Sequence, residues 1–213
     1  MIKLNLGSGS QLAKGYINVD KMFTPESLKV NRDKNGVLFE ESIQYKNVKF
    51  VQADILDLPF KNNFADLVEA HQVLEHLKIR DLIPALKEIR RVMKKGARFM
   101  FSTPNFDGLC LEWLGMEMRS MNTIGVQTWL DRAEEFYGIQ VNEGEEHRCP
   151  ITPNWIVFCL NQAGFIGPPK RMAIFGKQSR MPNKGFGLLS LAKKKYGSKT
   201  VFRHETIFGE AVK

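Results

Sequence analysis

A glycine turn and an acidic residue near the start of the chain have the types and spacing that hold a nucleoside. The stretch LNLGSGS places Gly7 and Gly9 after a short apolar run, and glycine lets the backbone approach a ligand where a Cβ would collide. Asp20 ends the next apolar run, INVD. Because ligands of open parallel sheets bind beyond the carboxyl ends of the strands, Asp20 is placed to accept hydrogen bonds from two ribose hydroxyls.

The spacing of this stretch disfavours a dinucleotide. The G-x-G-x-x-G fingerprint requires glycine at position 12, where the chain has Leu12. The acid normally follows at about 20 residues, whereas Asp20 lies 13 residues after Gly7. The helix between the two strands is therefore expected to be very short or absent, and a pyrophosphate needs a proper helix N-terminus.

Two further predicted strand ends add polar groups to the edge of the sheet where Asp20 lies, which we call the rim. VQADILDLPF contains Asp54, which can accept from the amino group of adenine, and Ile55, which can pack on the ring. The stretch HQVLEHL brings His71 and Gln72 to the end of the following strand. We therefore expect a nucleoside without a diphosphate.

Apolar runs predict the parallel sheet that positions these residues. Strands that are apolar on both faces and separated by helices are typical of a sheet covered on both sides. The predicted strands are Ile2–Gly7, Gly15–Asp20, Val48–Asp54, Phe64–Ala70 and Ala97–Pro104, with later strand-like runs RMAIFG and TVFRHETIFGEAV.

Two helices are predicted from apolar residues at helical spacing. The first is DLIPALKEIRRVMKKG, in which Asp81 is the expected N-cap and Gly96 the expected left-handed stop. The second, NWIVFCLNQAGF, begins near Pro153 and ends at Gly164.

Two segments exceed a minimal alternating fold. Residues 21–47 form a polar insert, and residues 106–147 form a long connection that contains Met and aromatic residues. Such a connection is often functional, and two interpretations stay open: a helical lid over an acceptor site, or a cover for the sheet edge. We expect a single domain over residues 1–213.

The positive charge lies in the C-terminal region. The net charge is +8; residues 168–213 hold 11 Lys and Arg against Glu205 and Glu210, a net of +9, so the preceding part has a net of −1. This region is either a solvated lysine face or a surface for an anionic partner such as nucleic acid, a phosphorylated sugar or a lipid surface.

The remaining composition predicts a cytoplasmic protein without a membrane span. No apolar run approaches the roughly 18 residues of such a span, and the start MIKLNLG leaves no room for a signal peptide. Cys110, Cys149 and Cys159 have no metal-binding spacing, so no metal is expected. The sequence leaves the oligomeric state open.

The successive motifs resemble those of class I S-adenosylmethionine-dependent methyltransferases. LNLGSGS…INVD, FVQADILDLPF, FADLVEAHQVLEHL, EIRRVMKKGARFMFSTPN and LNQAGF follow in that order over roughly Ile2 to Phe165. The similarity is closest to the small-molecule type 11 branch, and within it to bacterial and phage-type members with a shortened first helix. The resemblance implies an α/β, Rossmann-like, seven-stranded, mostly parallel sheet whose last strand is antiparallel, with helices on both faces.

The resemblance also implies S-adenosylmethionine as the cofactor and a role for each residue of the rim. The loop after the first strand contacts the methionine part, the first acid the ribose, the second acid and its neighbour the adenine, and the residues after the fourth strand the sulfonium end. In this order they are Leu6, Gly7, Ser8 and Gly9; Asp20; Asp54 and Ile55; His71 and Gln72. Asn5 and Gln11 depart from the family pattern at the amino-acid end of the cofactor.

Three histidines are candidate catalytic bases, which are needed only if the acceptor must lose a proton. His147 either serves an acceptor under the lid or faces solvent. His71 either contacts the cofactor or packs in its loop, and His76 either lies at the rim or braces that loop with Glu75. His204 is expected to be far from the site.

The function predicted from these features is methyl transfer to a small-molecule or sugar-like acceptor. One alternative is a nucleic-acid methyltransferase that uses the basic C-terminal region. The Asn/Asp-Pro-Pro-Tyr/Phe loop of base-amino methylases is missing, since that place reads EAHQVLEH. A non-catalytic cofactor-binding protein is the other alternative, because of Asn5 and Gln11.

Overall fold

A single seven-stranded sheet organises the computed structural model, which describes residues 1–9, 11–22, 48–110, 133–134, 136–138, 144–165, 171–175 and 206–213. The strands are β1 (Lys3–Leu6), β2 (Ile17–Asp20), β3 (Lys49–Gln52), β4 (Ala65–His71), β5 (Met93–Pro104), β6 (Arg171–Phe175) and β7 (Thr206–Val212). Their spatial order is β3-β2-β1-β4-β5-β7-β6. The first five strands are parallel, and β7 runs antiparallel to both neighbours. The predicted fold class, a mostly parallel Rossmann-like sheet with an antiparallel last strand, is confirmed.

Two α-helices pack on the apolar face of this sheet. They are α1 (Leu82–Val92) and α2 (Pro153–Gln162), with short 3-10 turns at Leu74–His76 and Ile79–Asp81. The helices and one face of the sheet share a buried apolar core. Its members include Leu4, Leu6, Val68, Ala70, Phe99 and Phe101 from the central strands, and Leu82, Leu86, Ile89, Ile156, Cys159 and Leu160 from the helices.

The opposite face of the central strands is polar and holds the glycine loop in place. Asn5 is paired in register with Asn18 of β2 and with Glu69 of β4, so the three side chains share a face. Asn5 donates to Asn18 Oδ1 (2.9 Å) and to the Gln11 carbonyl (3.1 Å), and Asn18 bonds both the N–H and the carbonyl of Ala13. No α-helix is found between β1 and β2 in the described residues. The side-chain amides of Asn5 and Asn18 therefore form hydrogen bonds with loop backbone groups that would be bonded within a helix if one were present.

The first helix is found where it was predicted, but its predicted C-terminal end lies too far along the chain. α1 ends at Val92, and Met93 already pairs with Ala65 in the sheet. The Ala65–Leu67 step of β4 faces Met93–Arg98 of β5, so the extra residues form a bulge. Gly96, with φ +78°, lies in this bulge and does not stop the helix.

The capping bond predicted for the first helix is not formed, and the second helix has a capping residue that was not predicted. Asp81 occupies the N-cap position of α1 but makes no side-chain capping bond. At α2 the capping residue is Thr152, whose hydroxyl accepts from the Trp155 N–H at 3.2 Å, with Pro153 in the first turn.

Most of the two predicted inserts lies outside the described residues. Of residues 21–47 only Lys21 and Met22 are described, and of residues 106–147 only 106–110, 133–134, 136–138 and 144–147. Residues 106–110 are helical. The remainder of the proposed lid, His204 and most of the basic C-terminal region also lie outside, so those expectations stay predictions.

Gly209 of β7 tests the packing of this sheet. It pairs with Phe101 of β5, and a Cβ at Gly209 would collide with the fully buried Phe101 ring. We expect Gly209→Ala to lower the free energy of unfolding by about 1–3 kcal/mol, as overpacked cores do. Urea unfolding followed by circular dichroism measures this as a lower midpoint at unchanged slope.

A second substitution provides the control for Gly209. In a Phe101→Leu background the smaller side chain makes room, so Gly209→Ala is expected to cost less there than in the wild type. An alanine variant as stable as the wild type would contradict the proposed collision.

Candidate active site

The glycine loop after β1 lies at the carboxyl edge of the sheet with a left-handed backbone. Gly7 and Gly9 have φ values of +59° and +48°. A Cβ at Gly7 would collide with the side chain of Val73, whereas a Cβ at Gly9 would meet nothing within 4 Å. The loop therefore packs against the segment after β4 at Gly7 and borders open space at Gly9.

Asp20 is buried and is bonded to the glycine loop. Its Oδ2 accepts from the Gly9 N–H at 2.8 Å and its Oδ1 from the Met22 N–H at 2.8 Å. The backbone of the loop is joined to β2 as well, since the Ser8 N–H donates to the Val19 carbonyl at 3.1 Å. Loop and carboxylate thus form one rigid unit at the ends of β1 and β2.

Asp54 lies at the neighbouring strand end and pairs with Lys21. The Ala53 N–H donates to the Asp20 carbonyl at 3.0 Å, which places the two acids at adjacent strand tips. Asp54 accepts from Lys21 Nζ at 2.8 Å and from the Leu56 N–H at 3.0 Å. Burial alone would raise the pKa of Asp54, but these hydrogen bonds and the Lys21 charge hold its pKa below the usual value.

The side chain of Ile55 has a different position from Asp54. It is half-buried and packs against the apolar core. Only its remaining exposed part is available to the rim, so the predicted adenine contact of Ile55 stays a prediction.

His71, at the end of β4, is held between two buried groups. Its Nε2 lies 3.0 Å from Glu69 Oε2 and its Nδ1 lies 3.1 Å from Ser102 Oγ. Glu69 also accepts from the Tyr16 hydroxyl at 2.7 Å. Burial, and next the negative charge of Glu69 and the hydrogen bond to it, raise the pKa of Tyr16. Both ring nitrogens of His71 have protein partners, so the geometry suits a positioning role better than that of a base.

Gln72 continues this segment in a conformation uncommon outside glycine. Its φ is +56° and its side chain is exposed. Its backbone N–H donates to the Ser102 carbonyl at 2.8 Å. The bend at Gln72 turns the chain from β4 toward Val73, which contacts the glycine loop.

Glu75, His76 and His147 form a second cluster. One potential ligand atom from each lies within 4.8 Å of the others. The His76 and His147 rings have centroids 5.2 Å apart at 60°. The Arg148 and Cys149 N–H groups donate to the Glu75 carbonyl at 2.8 and 3.0 Å, which ties the two chain segments together. The sequence did not predict that these three side chains meet.

The environment of this cluster alters its acid–base chemistry. Glu75 is 2% exposed, and burial raises its pKa to about 8. Burial also lowers the pKa of His76. Both shifts favour the neutral forms of these side chains.

A cavity of about 180 Å³ opens beside this cluster. Glu75, His147 and Arg148 contribute polar groups near the C-terminal ends of β4 and β5. The rest of the lining is largely apolar and aromatic, with Pro104, Phe106, Leu109, Phe136, Tyr137 and Ile151 among its members. His71 is not part of this lining. Of the three candidate bases, His76 and His147 therefore belong to the cluster beside the cavity, whereas His71 lies between Glu69 and Ser102.

The segment after β4 connects the cavity to the glycine loop. Val73 contacts Gly7 on one side, and Glu75, two residues later, lines the cavity. The Thr103 hydroxyl of β5 donates to Glu75 Oε2 at 3.1 Å and fixes the carboxylate. A ligand on the glycine loop and a ligand in the cavity would therefore both border this short turn.

Comparison with known proteins agrees with this geometry. Residues 4–101 match the family model described as "Methyltransferase domain". This region is therefore similar to a methyltransferase domain. The match begins in β1 and ends in β5, so it contains the glycine loop and the carboxyl ends of the first four strands. The predicted membership of the class I methyltransferases is confirmed.

Solved structures of other proteins have a similar fold to this chain at low sequence identity. A SAM-dependent methyltransferase from Methanosarcina mazei is similar with a TM-score of 0.56 and 16% identity, over 99% of this chain and 91% of that one. The trans-methyltransferase CalH, solved in complex with SAH, has a TM-score of 0.52 and 15% identity over 100% of this chain and 51% of that one. At such identities the likeness concerns the fold alone.

The match to a curated relative covers only a small part of this chain. An uncharacterized protein from Methanocaldococcus jannaschii is 43% identical over 60 residues, which are 28% of this chain and 25% of that protein. The chain thus spans about a quarter of that relative. Within the described residues no helix has the length and apolar character that a membrane crossing needs.

Proposed function

We propose that the chain is an S-adenosylmethionine-dependent methyltransferase that acts on a small-molecule or sugar-like acceptor. The observation that carries the proposal is that the rigid loop–Asp20 unit and a small cavity both border the turn from Val73 to Glu75. The first suits a nucleoside and the second a compact acceptor.

The glycine loop fits the cofactor in three respects. Space is open above Gly9. The Ser8 hydroxyl is buried and has no hydrogen-bond partner among the described residues, so it is a polar atom that a ligand would satisfy. Asp20 and Asp54 stand at adjacent strand tips, where they would bind the ribose and the adenine amino group. His71 and Gln72 would border the sulfonium end.

The size and lining of the cavity favour a small acceptor. Its volume of about 180 Å³ is below the roughly 300–1,000 Å³ typical of pockets for drug-sized ligands. Aromatic side chains supply apolar surface for a ring, and Glu75, His147 and Arg148 supply polar contacts. A sugar-like molecule, with apolar and hydroxyl-bearing sides, matches this lining.

The chain's contribution to methyl transfer is alignment and proton removal. When bound, S-adenosylmethionine supplies a methyl carbon on a positively charged sulfur, so the protein needs mainly to orient the acceptor and exclude water. An acceptor hydroxyl loses its proton as the new bond to carbon forms. His147 lines the cavity and is the candidate base, while His76 lies beside it.

Calorimetry with S-adenosylhomocysteine tests the proposal. We expect one equivalent to bind to the folded protein. Incubation with S-adenosylmethionine and a panel of monosaccharides and small phenols is then expected to give one acceptor whose mass rises by one CH₂ group. The proposal would be contradicted if the folded protein bound no S-adenosylhomocysteine. The proposed acceptor class would be contradicted if the protein methylated oligonucleotides but no small acceptor.

A further inference from the structure

The cluster of Glu75, His76 and His147 has the composition of a metal site. We propose that these three residues bind one divalent transition-metal ion, for which Zn²⁺ is the probe. Two imidazoles and one carboxylate form a ligand set found in catalytic zinc sites, which leave one coordination position open. Metal binding does not depend on the proposed methyl transfer.

The distances permit a metal after a small closure of the side chains. The three potential ligand atoms lie within 4.8 Å of one another. Zinc bonds of about 2.0–2.2 Å in a tetrahedral arrangement bring ligand atoms to about 3.4 Å from each other. Rotation of the side chains would have to supply this difference, since the bonds to the Glu75 carbonyl hold the backbones of the two segments together.

Glu75 provides independent evidence for a ligand. Its Oε1 is buried and has no hydrogen-bond partner within the described part of the chain, while its Oε2 accepts from Thr103. A buried carboxylate oxygen without a partner is costly. A bound cation would satisfy it, and the Thr103 hydroxyl would orient the ligating carboxylate as an outer partner does in metal sites.

The two histidines are presented in a form suited to coordination. His76 Nδ1 lies 3.2 Å from the Glu146 carbonyl, a contact that assigns the proton to Nδ1 and the lone pair to Nε2. The segment that carries His147 is fixed by the bond from its N–H to the Tyr137 carbonyl at 2.9 Å.

The open coordination position would border the cavity. Glu75 and His147 both line it, so an oxygen of a bound molecule can reach the ion. A metal-bound hydroxyl has a lowered pKa, and the acceptor class would then be an alcohol or phenol bound through oxygen. With the ion bound, His147 would be a ligand and no longer a base, so lowering the pKa of the bound hydroxyl would replace the proton removal assigned to His147 above. This last step rests on the proposed function, whereas metal binding does not.

The test uses the untagged full chain, stripped with a chelator and reloaded. We expect one equivalent of Zn²⁺ by elemental analysis, and a visible Co²⁺ absorption band that excess Zn²⁺ abolishes. Glu75→Gln, His76→Ala and His147→Ala are each expected to weaken Zn²⁺ binding by at least tenfold. His71→Ala, which removes an imidazole outside the cluster, is expected to keep the stoichiometry and the affinity.

Several outcomes would overturn the metal site. These are wild-type protein that takes up no Zn²⁺ and shows no displaceable Co²⁺ band, or cluster variants that bind Zn²⁺ as the His71→Ala control does. Circular dichroism identifies variants that fail to fold, and the wild-type Co²⁺ spectrum decides independently of them. S-adenosylhomocysteine binding to the stripped protein is measured separately, so a failure of the metal site is distinguishable from a failure of the proposed function.

Discussion

Replacing Asp20 with alanine is expected to weaken S-adenosylhomocysteine binding by more than about 100-fold. Hydrogen bonds to a charged group contribute about 1.5–3 kcal/mol each, two such bonds to a ribose diol would be lost, and 1.4 kcal/mol corresponds to tenfold in affinity. The Gly9 N–H would also lose its acceptor at 2.8 Å, so the loop would no longer be held in its binding conformation. Isothermal titration calorimetry measures the change.

Two matched variants separate the ribose contact from a general effect of the substitution. Asp20→Asn keeps one oxygen to accept from the loop, so its loss of affinity is expected to lie between those of the wild type and the alanine variant. Asp66→Ala removes an acid near the opposite, amino end of β4, where Asp66 pairs with Lys94 at 2.8 Å, and is expected to leave affinity unchanged. Equal affinities for the Asp20→Ala and Asp66→Ala variants would show that Asp20 does not hold the ligand.

Much of the fold was predictable because its signals are local. Short apolar runs bounded by turn residues placed the first four strands within a few residues of their observed limits, and the 13-residue spacing from Gly7 to Asp20 predicted the missing helix. The end of α1 was not predictable from the same signals. Helical spacing continues through Met93, but pairing of Met93 with Ala65 buries it in the sheet and ends the helix earlier.

The site was predictable where it depends on strand ends and not where it depends on distant packing. A glycine turn and acids after strands have a fixed meaning in a parallel sheet, so Asp20 and Asp54 were found at adjacent tips. Glu75 and His147 meet only because the segment at 147–149 docks on the turn after β4. No spacing pattern in the sequence encodes that contact.

Glu69 shows a third kind of residue, which sequence reasoning missed. An acid in the middle of an apolar strand is a signal, because a buried carboxylate needs partners. The sequence does not identify those partners. His71 lies two residues further along the same strand, but Tyr16 lies before β2, and Asn5 aligns with Glu69 only through the register of β1 and β4.

The same network makes Glu69→Ala the substitution with the largest expected effect on stability. Glu69 is fully buried and accepts from the Tyr16 hydroxyl at 2.7 Å, with His71 Nε2 at 3.0 Å. Alanine would leave both groups without their acceptor, and such losses cost about 1–3 kcal/mol per buried group. We therefore expect the free energy of unfolding to fall by about 3–5 kcal/mol, measured by urea unfolding under circular dichroism.

Comparison with Glu69→Gln distinguishes loss of the acceptor from loss of charge. Glutamine keeps the shape and one carbonyl oxygen for Tyr16, so it is expected to recover more than half of the stability that alanine loses. Tyr16→Phe should cost about 1 kcal/mol in the wild type and almost nothing in the Glu69→Ala background, since the bond is already gone. Independent, additive effects of the two substitutions would mean that the bond does not stabilise the fold. If they are coupled as expected, the polar face of the sheet both covers the β1–β2 loop and fixes His71 at the rim, so stability and cofactor binding share one set of buried hydrogen bonds.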